Sequence, residues 1–288
     1  MVTLVSWLIL GATSAVPMRW SAAIILGGAI VALVGALDDH RDIPAKLRLG
    51  VHFVAAGGAL ILIGGLPALP VFGYALELAW LGPILAIFGI VWLLNLFNFM
   101  DGIDGIAGIE AVLVGLGGAV LTNLAQDSSG LHLFLLTLTA STCGFLIWNF
   151  PRARIFMGDA GSGFLGFSFG ALAVITAWDN AALLWSWGIL LGAFVVDATT
   201  TLIRRVLRGY PFDQAHRSHA YQYLARRMGS HVPVSVGWGV VTLLWLWPIA
   251  ILVSLERLDG VIGATIAYTP LVVMAIRLKA GAPELQQV

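Results

Sequence analysis

Long apolar stretches without charged side chains constrain the fold of this sequence more than any other feature. Residues 78–100 contain no Asp, Glu, Lys or Arg over 23 consecutive positions, and an α-helix needs roughly 20 apolar residues to cross a bilayer. Only 10% of the 288 residues are charged, against about 25% in an average soluble domain. The sequence therefore predicts an all-α protein, a polytopic transmembrane helical bundle.

Ten apolar segments can be marked along the chain, so we expect about ten membrane spans and one integral membrane domain over residues 1–288. The single cysteine, Cys143, excludes an internal disulfide and a metal site built from several cysteines. The ten segments are residues 2–17, 21–37, 48–66, 80–98, 106–122, 131–149, 161–178, 181–203, 232–254 and 260–276.

The distribution of basic residues predicts the orientation in the membrane. With a cytoplasmic N-terminus and ten spans, 13 of the 15 Lys and Arg residues fall on the cytoplasmic side, and only Arg19 and Arg257 fall outside. Short cytoplasmic loops carry an excess of Lys and Arg, so we reject the opposite orientation. We expect both termini to be cytoplasmic, in a multi-pass protein of the inner (cytoplasmic) membrane. The net charge of zero predicts no nucleic-acid partner.

The same topology gathers acidic residues on one face. They reach the cytoplasmic side from four connections, at about residues 38–47, 95–105, 149–162 and 204–231, whereas the acids of the outer connections are scattered singly. The cytoplasmic acids are Asp38, Asp39, Asp42, Asp101, Asp104, Asp159 and Asp213. Acids, bases and glycines collected in short loops indicate an active site at the cytoplasmic boundary.

The first connection reads GALDDHRDIPAKLR, residues 35–48. Adjacent carboxylates such as Asp38 and Asp39 repel each other unless a cation or a proton lies between them. Carboxylate oxygens suit Mg²⁺, which takes one or two of them and completes its shell with water and phosphate. The alternative is a solvated helix end with Arg41 and Lys46 as counter-ions.

The second connection, NLFNFMDGIDGIAG, spans residues 95–108 and places amides and acids at steps of three. On a helix such residues are neighbours, and the glycines allow a break at which backbone approaches a ligand closely. The alternative is a polar cap between two helices. The four polar residues are Asn95, Asn98, Asp101 and Asp104.

The third connection, WNFPRARIFMGDAGSGFLGF, covers residues 148–167 and carries Asp159 in a tight polar turn that opens a helix. The N–H groups of the turn, with Ser162 and Arg152 or Arg154, predict an anion-binding cradle. The glycines at 163, 166 and 170 are better explained as helix-packing positions.

The fourth connection, residues 204–227, is basic and contains His216, Arg217 and His219. Arg binds phosphate through a bidentate fork, and His binds phosphate or transfers protons near neutral pH. The alternative is a juxtamembrane segment that faces anionic lipids. We expect Asp197, within the preceding segment, to pair with Arg204 or Arg205.

Together the four motifs resemble a known family. LDDxxD, NxxNxxDGxDGxAG, NxPxxxxFMGDxGS and a PF…HRxH loop occur in this order over roughly residues 20–225. They resemble the polyprenyl-phosphate N-acetylhexosamine-1-phosphate transferases (glycosyltransferase family 4, the MraY/WecA-like superfamily). The resemblance implies that a polyprenyl phosphate, undecaprenyl phosphate in bacteria, attacks the β-phosphate of a UDP-N-acetylamino sugar. It implies dependence on Mg²⁺, with Mn²⁺ as an alternative ion, and release of UMP in the first membrane step of O-antigen-type polysaccharide synthesis.

The resemblance also assigns roles to residues. It implies catalytic positions at Asp38, Asp39, Asp101, Asp104 and Asp159. It implies substrate binding by Asn95, Asn98, Asn149, His216, Arg217, His219 and Lys46. It implies a metal site made by Asp159, Asp39 and Asn149. Direct attack by the lipid phosphate, oriented or deprotonated by Asp38 or Asp39, is the favoured mechanism, and a covalent intermediate on Asp159 or Asp39 is the rival.

Two departures from the family pattern affect these expectations. Relatives usually carry another N-terminal span and a Pro-Arg-Gly-Gly-type loop before the segment with which this sequence starts, so we expect this chain to lack both. The loop reads HRSHAYQ at residues 216–222, where many relatives read DRxHLHH. This form resembles the O-antigen-initiating subgroup that uses FucNAc or QuiNAc.

Two other functions remain as alternatives. One is a membrane transporter or ion-pathway protein, since acids within a membrane mark such pathways. The other is an inactive transferase homologue. Membrane lipid is an expected partner, and a homodimer is left open.

Overall fold

The computed structural model describes residues 1–13, 16–125, 130–211 and 216–283, and their regular secondary structure is helical apart from one short β-hairpin. The helices are α1 (Val2–Thr13), α2 (Met18–Arg41), α3 (Ala45–Ile63), α4 (Leu81–Met100), α5 (Ile106–Leu124), α6 (Leu131–Asn149), α7 (Gly158–Thr176), α8 (Ala182–Leu190), α9 (Gly192–Leu207), α10 (Ala220–Met228), α11 (Val232–Ser254) and α12 (Gly260–Arg277). The antiparallel strands β1 (Leu69–Val71) and β2 (Tyr74–Leu76) form the hairpin, and α11 contains a π-helical turn at Thr242–Leu246. The predicted all-α polytopic bundle is confirmed.

The number of spans differs slightly from the expected ten. Within the described residues, eight helices are long and apolar enough to cross a membrane, and α8 with α9, which bend by 72° at their junction, make up to nine if the pair is counted as one span. Helix α1 has 12 residues and is therefore only about 18 Å long, shorter than the roughly 30 Å hydrocarbon core. This corrects the expectation of a full span at residues 2–17, of which residues 14 and 15 lie outside the described part.

Contacts between loops define two ends of the bundle. At one end, which we call the hairpin end, Trp185 Nε1 donates to the carbonyl of Pro70 (2.8 Å) and the Phe72 N–H donates to Asp259 (2.7 Å). At the other end, Tyr221 donates to the carbonyl of Phe99 (2.9 Å). The bent α8–α9 pair runs from the first end to the second, so it crosses the bundle despite its break.

Helix α7 lies largely buried at the centre of the bundle, and glycines bring α2 and α4 close to it. A Cβ on Gly35 of α2 would lie 2.5 Å from the backbone nitrogen of Ala160. A Cβ on Gly166 would lie 2.4 Å from the carbonyl oxygen of Leu93 in α4. The predicted packing role of the α7 glycines is confirmed, and the close approach brings the polar ends of α2, α4 and α7 together.

Candidate active site

Three helices meet at one arginine. The same guanidinium nitrogen of Arg48, in the first turn of α3, donates to Asp38 near the end of α2 and to Asp159 at the start of α7. The side chains are 27% exposed for Arg48, 12% for Asp38 and 26% for Asp159, so the cluster is open to the solution. Because one positive charge faces two carboxylates, the cluster keeps a net negative charge when both acids are ionised. Arg48 did not stand out as a site residue in the sequence.

Asp159 is also held from α4. Asn98 donates through Nδ2 to Asp159 Oδ1 at 2.5 Å. Asn95, one turn earlier, donates to the carbonyl of Val91 at 2.7 Å within its own helix. With Arg48 and Asp159, both asparagines line a cavity of about 10 Å³, which has room for about one water molecule. This cavity is too small for a ligand larger than water, so any larger ligand would have to lie on the open side of the cluster.

Asp39 caps the start of α7. Its Oδ1 accepts the backbone N–H of Asp159 at 2.9 Å, and its Oδ2 lies 3.4 Å from the backbone nitrogen of Ala160. Gly158 makes this approach possible, because it has φ +64° and a Cβ there would lie 2.6 Å from Asp39 Oδ2. A carboxylate at a helix N-terminus is favourable for the exposed N–H groups and for the helix dipole. The described contacts therefore place Asp39 as an anchor of α7, while its predicted metal and catalytic roles stay predictions.

Asn149 occupies a bracing position. It is 4% exposed, its Oδ1 accepts the Gly105 N–H at 2.9 Å, and its Nδ2 donates to the carbonyl of Ile155 at 2.9 Å. These bonds fasten the loop after α4 to the loop before α7. Both polar groups of the side chain are thus engaged with backbone, and its role as a metal ligand stays a prediction.

Asp101 follows the last residue of α4 and is partly buried. Burial, and next the negative charge of Asp159, raise the pKa of Asp101 to about 7. A carboxyl whose ionisation is opposed by a neighbouring carboxylate is a position where a cation would be favourable. This acid therefore belongs electrostatically to the same site as Asp159.

The glycine after Asp101 gives room to a tyrosine from the fourth connection. A Cβ on Gly102 would lie 2.1 Å from the hydroxyl oxygen of Tyr221, and this hydroxyl donates to the carbonyl of Phe99 at 2.9 Å. Burial raises the pKa of Tyr221, so the phenol remains a neutral donor. The second and fourth connections are therefore packed against each other.

Asp104 has partners that the sequence did not reveal. His231 Nδ1 lies 3.3 Å from Asp104 Oδ2 and 3.4 Å from the Asp104 backbone nitrogen. This ring nitrogen accepts the N–H when it is unprotonated and donates to the carboxylate when it is protonated. Ser235 donates to the Asp104 carbonyl at 2.7 Å. The start of α11 therefore supports the loop between α4 and α5.

The fourth connection is anchored by a buried acid. Asp197, 3% exposed, accepts the N–H groups of Ala220 (2.9 Å) and Tyr221 (3.0 Å) and the hydroxyl of Thr201 (3.2 Å). His219 Nδ1 lies 3.6 Å from the same carboxylate. The expected pairing of Asp197 with Arg204 or Arg205 is therefore wrong, because the carboxylate caps α10 instead.

The other predicted residues of this face differ in exposure. His219 is 2% exposed and stacks between Phe99 and Tyr221, with its ring centroid 4.9 Å from that of His216. Arg217 and Lys46 are exposed. Asp213, one of the acids predicted at this face, lies outside the described residues.

Sequence comparison with known proteins identifies the family of this chain. Residues 21–177 match the sequence model of glycosyl transferase family 4. This match covers more than half of the sequence. The chain belongs to glycosyltransferase family 4. All of the first three motifs, and every acid of the Arg48 cluster, lie within the matched residues.

Individual relatives of this family 4 chain include two kinds of enzyme. A probable undecaprenyl-phosphate N-acetylglucosaminyl 1-phosphate transferase from Bacillus subtilis is 32% identical over 209 residues, which cover 70% of this chain and 57% of the relative. A phospho-N-acetylmuramoyl-pentapeptide-transferase from Moorella thermoacetica is 29% identical over 274 residues, 88% of this chain and 79% of the relative. A phospho-N-acetylmuramoyl-pentapeptide-transferase from Acaryochloris marina is 33% identical, over 68% of this chain and 54% of the relative. The chain thus spans little more than half the length of two of these relatives.

The side chains of this site that could bind a metal ion offer carboxylate and amide oxygens. Among the described residues, no group of three or more His, Cys, Asp or Glu side chains is arranged to hold a metal ion. Mg²⁺ needs only one or two carboxylates when phosphate and water fill its other positions. The carboxylates of Asp38, Asp101 and Asp159 offer the oxygen ligands that such an ion takes.

Proposed function

We propose that this chain transfers an N-acetylhexosamine-1-phosphate from a UDP-sugar to a polyprenyl phosphate. An oxygen of the lipid phosphate forms a bond to the β-phosphorus of the UDP-sugar. The bond between this phosphorus and the oxygen that bridges the two phosphates breaks, and UMP leaves with the bonding electrons. The products are a polyprenyl-diphosphate sugar and UMP.

The cluster of Asp38, Arg48 and Asp159 is the observation that carries this proposal. Arg48 partly offsets the negative charge of Asp38 and Asp159 where two anionic substrates must approach each other, and its position is fixed by bonds to two different helices. Asn98 offers an amide beside the same carboxylate. Phosphoryl transfer depends mostly on such positioning and charge stabilisation. Because the cluster lies at the end of a membrane bundle, a lipid substrate could enter from the bilayer while a nucleotide enters from solution.

Mg²⁺ is the cofactor we propose, held by Asp159 with Asp101 as the second carboxylate. The other two expected ligands, Asp39 and Asn149, already accept hydrogen bonds from backbone N–H groups. When bound, it would supply the positive charge that the cluster lacks and neutralise the diphosphate. Arg48 would then orient Asp159, and Asn98 would keep the second oxygen of that carboxylate in place. Mn²⁺ is the alternative ion, because it accepts the same oxygen ligands.

Direct attack by the lipid phosphate fits the contacts better than a covalent enzyme intermediate. Both oxygens of Asp159 already accept hydrogen bonds from Arg48 and Asn98. Both oxygens of Asp39 face backbone N–H groups of α7. Carboxylates held in this way are weaker nucleophiles, whereas the acceptor phosphate is largely ionised at neutral pH, with a second pKa of about 6. Asp38 or Asp39 would orient or deprotonate that phosphate.

Finer aspects of the proposal concern the sugar and the cellular setting. The HRSHAYQ loop favours FucNAc or QuiNAc, in the first membrane step of O-antigen-type synthesis. The distribution of Lys and Arg favours an active site on the cytoplasmic face of the inner membrane. Polyprenyl phosphate, a UDP-N-acetylamino sugar and membrane lipid are the proposed partners, and the state of association, monomer or homodimer, is left to measurement.

The decisive experiment measures UMP release by the purified chain in detergent or nanodiscs. Undecaprenyl phosphate would be offered with UDP-GlcNAc, UDP-FucNAc or UDP-QuiNAc, with Mg²⁺, with Mn²⁺ or with EDTA. We expect release with at least one sugar, dependent on both the lipid and the metal. Asp159→Asn should lower the rate by at least about 100-fold, the scale of a lost transition-state charge contact. Absence of release with every sugar would contradict the proposal, and release in EDTA would contradict the metal.

A further inference from the structure

The chain after the last span returns to the candidate active site. The N–H of Gly281 donates to the carbonyl of Ser218 at 2.8 Å. Arg204 donates to the carbonyl of Ala280 at 2.6 Å, and Arg208 donates to the carbonyl of Gly281. Ala280 is fully buried. Residues 278–283, which we call the C-terminal bracket, are therefore fixed to α9 and to the fourth connection at once.

The bracket depends on a glycine. Gly281 has φ +68°, a backbone conformation that side chains disfavour. A Cβ on this residue would lie 2.7 Å from the carbonyl oxygen of Thr201 and 3.1 Å from Cβ of Arg204. Since the first of these neighbours is backbone, a larger residue must push the bracket away from α9.

Ser218, whose carbonyl the bracket holds, lies among the residues predicted to bind the UDP-sugar. Ser218 follows Arg217 and precedes His219, and it is 4% exposed. Its hydroxyl lies 3.1 Å from His216 Nδ1. A shift of the Ser218 carbonyl would therefore move the residues on both sides of it.

The same loop is also held at the residues that follow His219. Asp197 accepts the N–H groups of Ala220 and Tyr221, while Lys279 of the bracket lies 5.5 Å from the ring of Tyr223. The loop is thus held by α9 through a buried carboxylate and by the bracket through a backbone bond. Two basic residues, Arg204 and Arg208, hold the bracket with hydrogen bonds to its carbonyls.

We propose that the C-terminal bracket is a positioning element that holds His216, Arg217 and His219 in place for the diphosphate of the donor. This inference rests on the proposed transferase function. Gly281 and Arg208 act through the loop and do not themselves touch substrate. Displacing the bracket should therefore weaken use of the UDP-sugar more than use of the lipid phosphate.

The first test does not need activity. Gly281→Ala would be compared with wild type and with Gly229→Ala, which has a similar φ of +63° but no neighbour within 4 Å of its added Cβ. Limited trypsin digestion of the full chain, followed by mass spectrometry, measures cleavage after Arg217. Loss of about one hydrogen bond should speed this cleavage about fivefold to tenfold in Gly281→Ala, with no change in Gly229→Ala. Equal cleavage in all three proteins would overturn the proposal.

The second test separates the two substrates. In Gly281→Ala the KM for the UDP-sugar should rise about fivefold to tenfold, with the KM for polyprenyl phosphate unchanged. Arg208→Gln, a milder change at an exposed residue, should shift the same KM in the same direction. A fall in kcat with both KM values unchanged would overturn the proposal. If wild type releases no UMP at all, the proposed function fails, and the trypsin result alone decides on the bracket.

Discussion

Arg48 and Asp159 are 111 positions apart in the sequence, yet the guanidinium of Arg48 donates a hydrogen bond to the carboxylate of Asp159. The same nitrogen donates to Asp38. One cation thus joins α2, α3 and α7 at the point where each presents a polar residue. The relationship links helix packing to electrostatics, because the group that offsets the repulsion between two carboxylates also joins the helices that carry them.

Removing the charge of Arg48 should be far more harmful than changing its shape. Arg48→Gln leaves Asp38 and Asp159 facing each other without a cation, and we expect UMP release to fall by at least about 100-fold. Arg48→Lys should retain activity within about tenfold of wild type. A single guanidinium nitrogen of Arg48 donates to both Asp38 and Asp159, and the lysine ammonium also has enough N–H groups for two carboxylates. The measurement is the initial rate of UMP release at saturating substrates. Equal losses in the two variants would show that the planar guanidinium, and not its charge, is required.

Asp101 should make the stability of the metal-free protein depend on pH. Its pKa lies at about 7 in the folded protein, against the ordinary 3.8. The folded state therefore binds this proton more tightly than the unfolded state does, and its relative stability falls as pH rises from about 4 through about 7. Asp101→Asn is neutral throughout, so its melting temperature in EDTA should exceed that of wild type increasingly between pH 5 and about 8.

Intrinsic tryptophan fluorescence during heating measures this difference. A constant difference between Asp101→Asn and wild type across the pH range would contradict the raised pKa. Added Mg²⁺ provides the control for the proposed site. It should stabilise wild type at pH 8 and leave the Asn variant nearly unaffected, because the cation favours the ionised carboxylate.

Lys46 and Arg48 illustrate which part of the site the sequence could predict. The GALDDHRDIPAKLR motif contains both bases, and the sequence assigned only Lys46 to substrate binding. Residues two apart on a helix point in directions about 200° apart, since each residue turns the helix by about 100°. Only one of them can face the bundle, and the structure shows that it is Arg48. This choice depends on how α3 is rotated against α7, which the local sequence does not encode.

Asp197 illustrates a second limit. The sequence placed it before two arginines, and an ion pair was the simplest expectation. Helix neighbours lie three or four residues apart, whereas Arg204 and Arg205 lie seven and eight residues further along. The partner within reach on its own helix is Thr201, and its remaining bonds go to the start of α10. Capping of another element by a buried acid arises from tertiary packing, as does the 72° bend between α8 and α9.

Close packing of α2 on α7 should be sensitive to a single methyl group. In Gly35→Ala the added Cβ would meet the backbone of Asp159 and Ala160 at about 2.5 Å, and overpacking of this kind costs about 1–3 kcal/mol. The shift would also part Asp39 from the N-terminus of α7, so we expect loss of both thermal stability and UMP release. Gly58→Ala in α3 is the matched control, because its Cβ meets no atom within 4 Å. Similar behaviour of the two variants would contradict close packing at Gly35.

Neutralising Asp197 should loosen the fourth connection without touching the Arg48 cluster. In Asp197→Asn an NH₂ group replaces one carboxylate oxygen, so it cannot accept the backbone N–H that this oxygen accepted. A hydrogen bond to a charged group is worth about 1.5–3 kcal/mol. We expect the KM for the UDP-sugar to rise at least about tenfold, while Thr201→Val, which removes only the 3.2 Å hydroxyl bond, should change it little. Glu256 lies at the hairpin end, where it accepts a hydrogen bond from Asn180 at 3.4 Å and shares a surface cavity with Pro70 and Asp259. Glu256→Gln loses the same charge far from this loop and should leave the KM unchanged. An Asp197→Asn variant with wild-type KM would show that the loop holds its position without this cap.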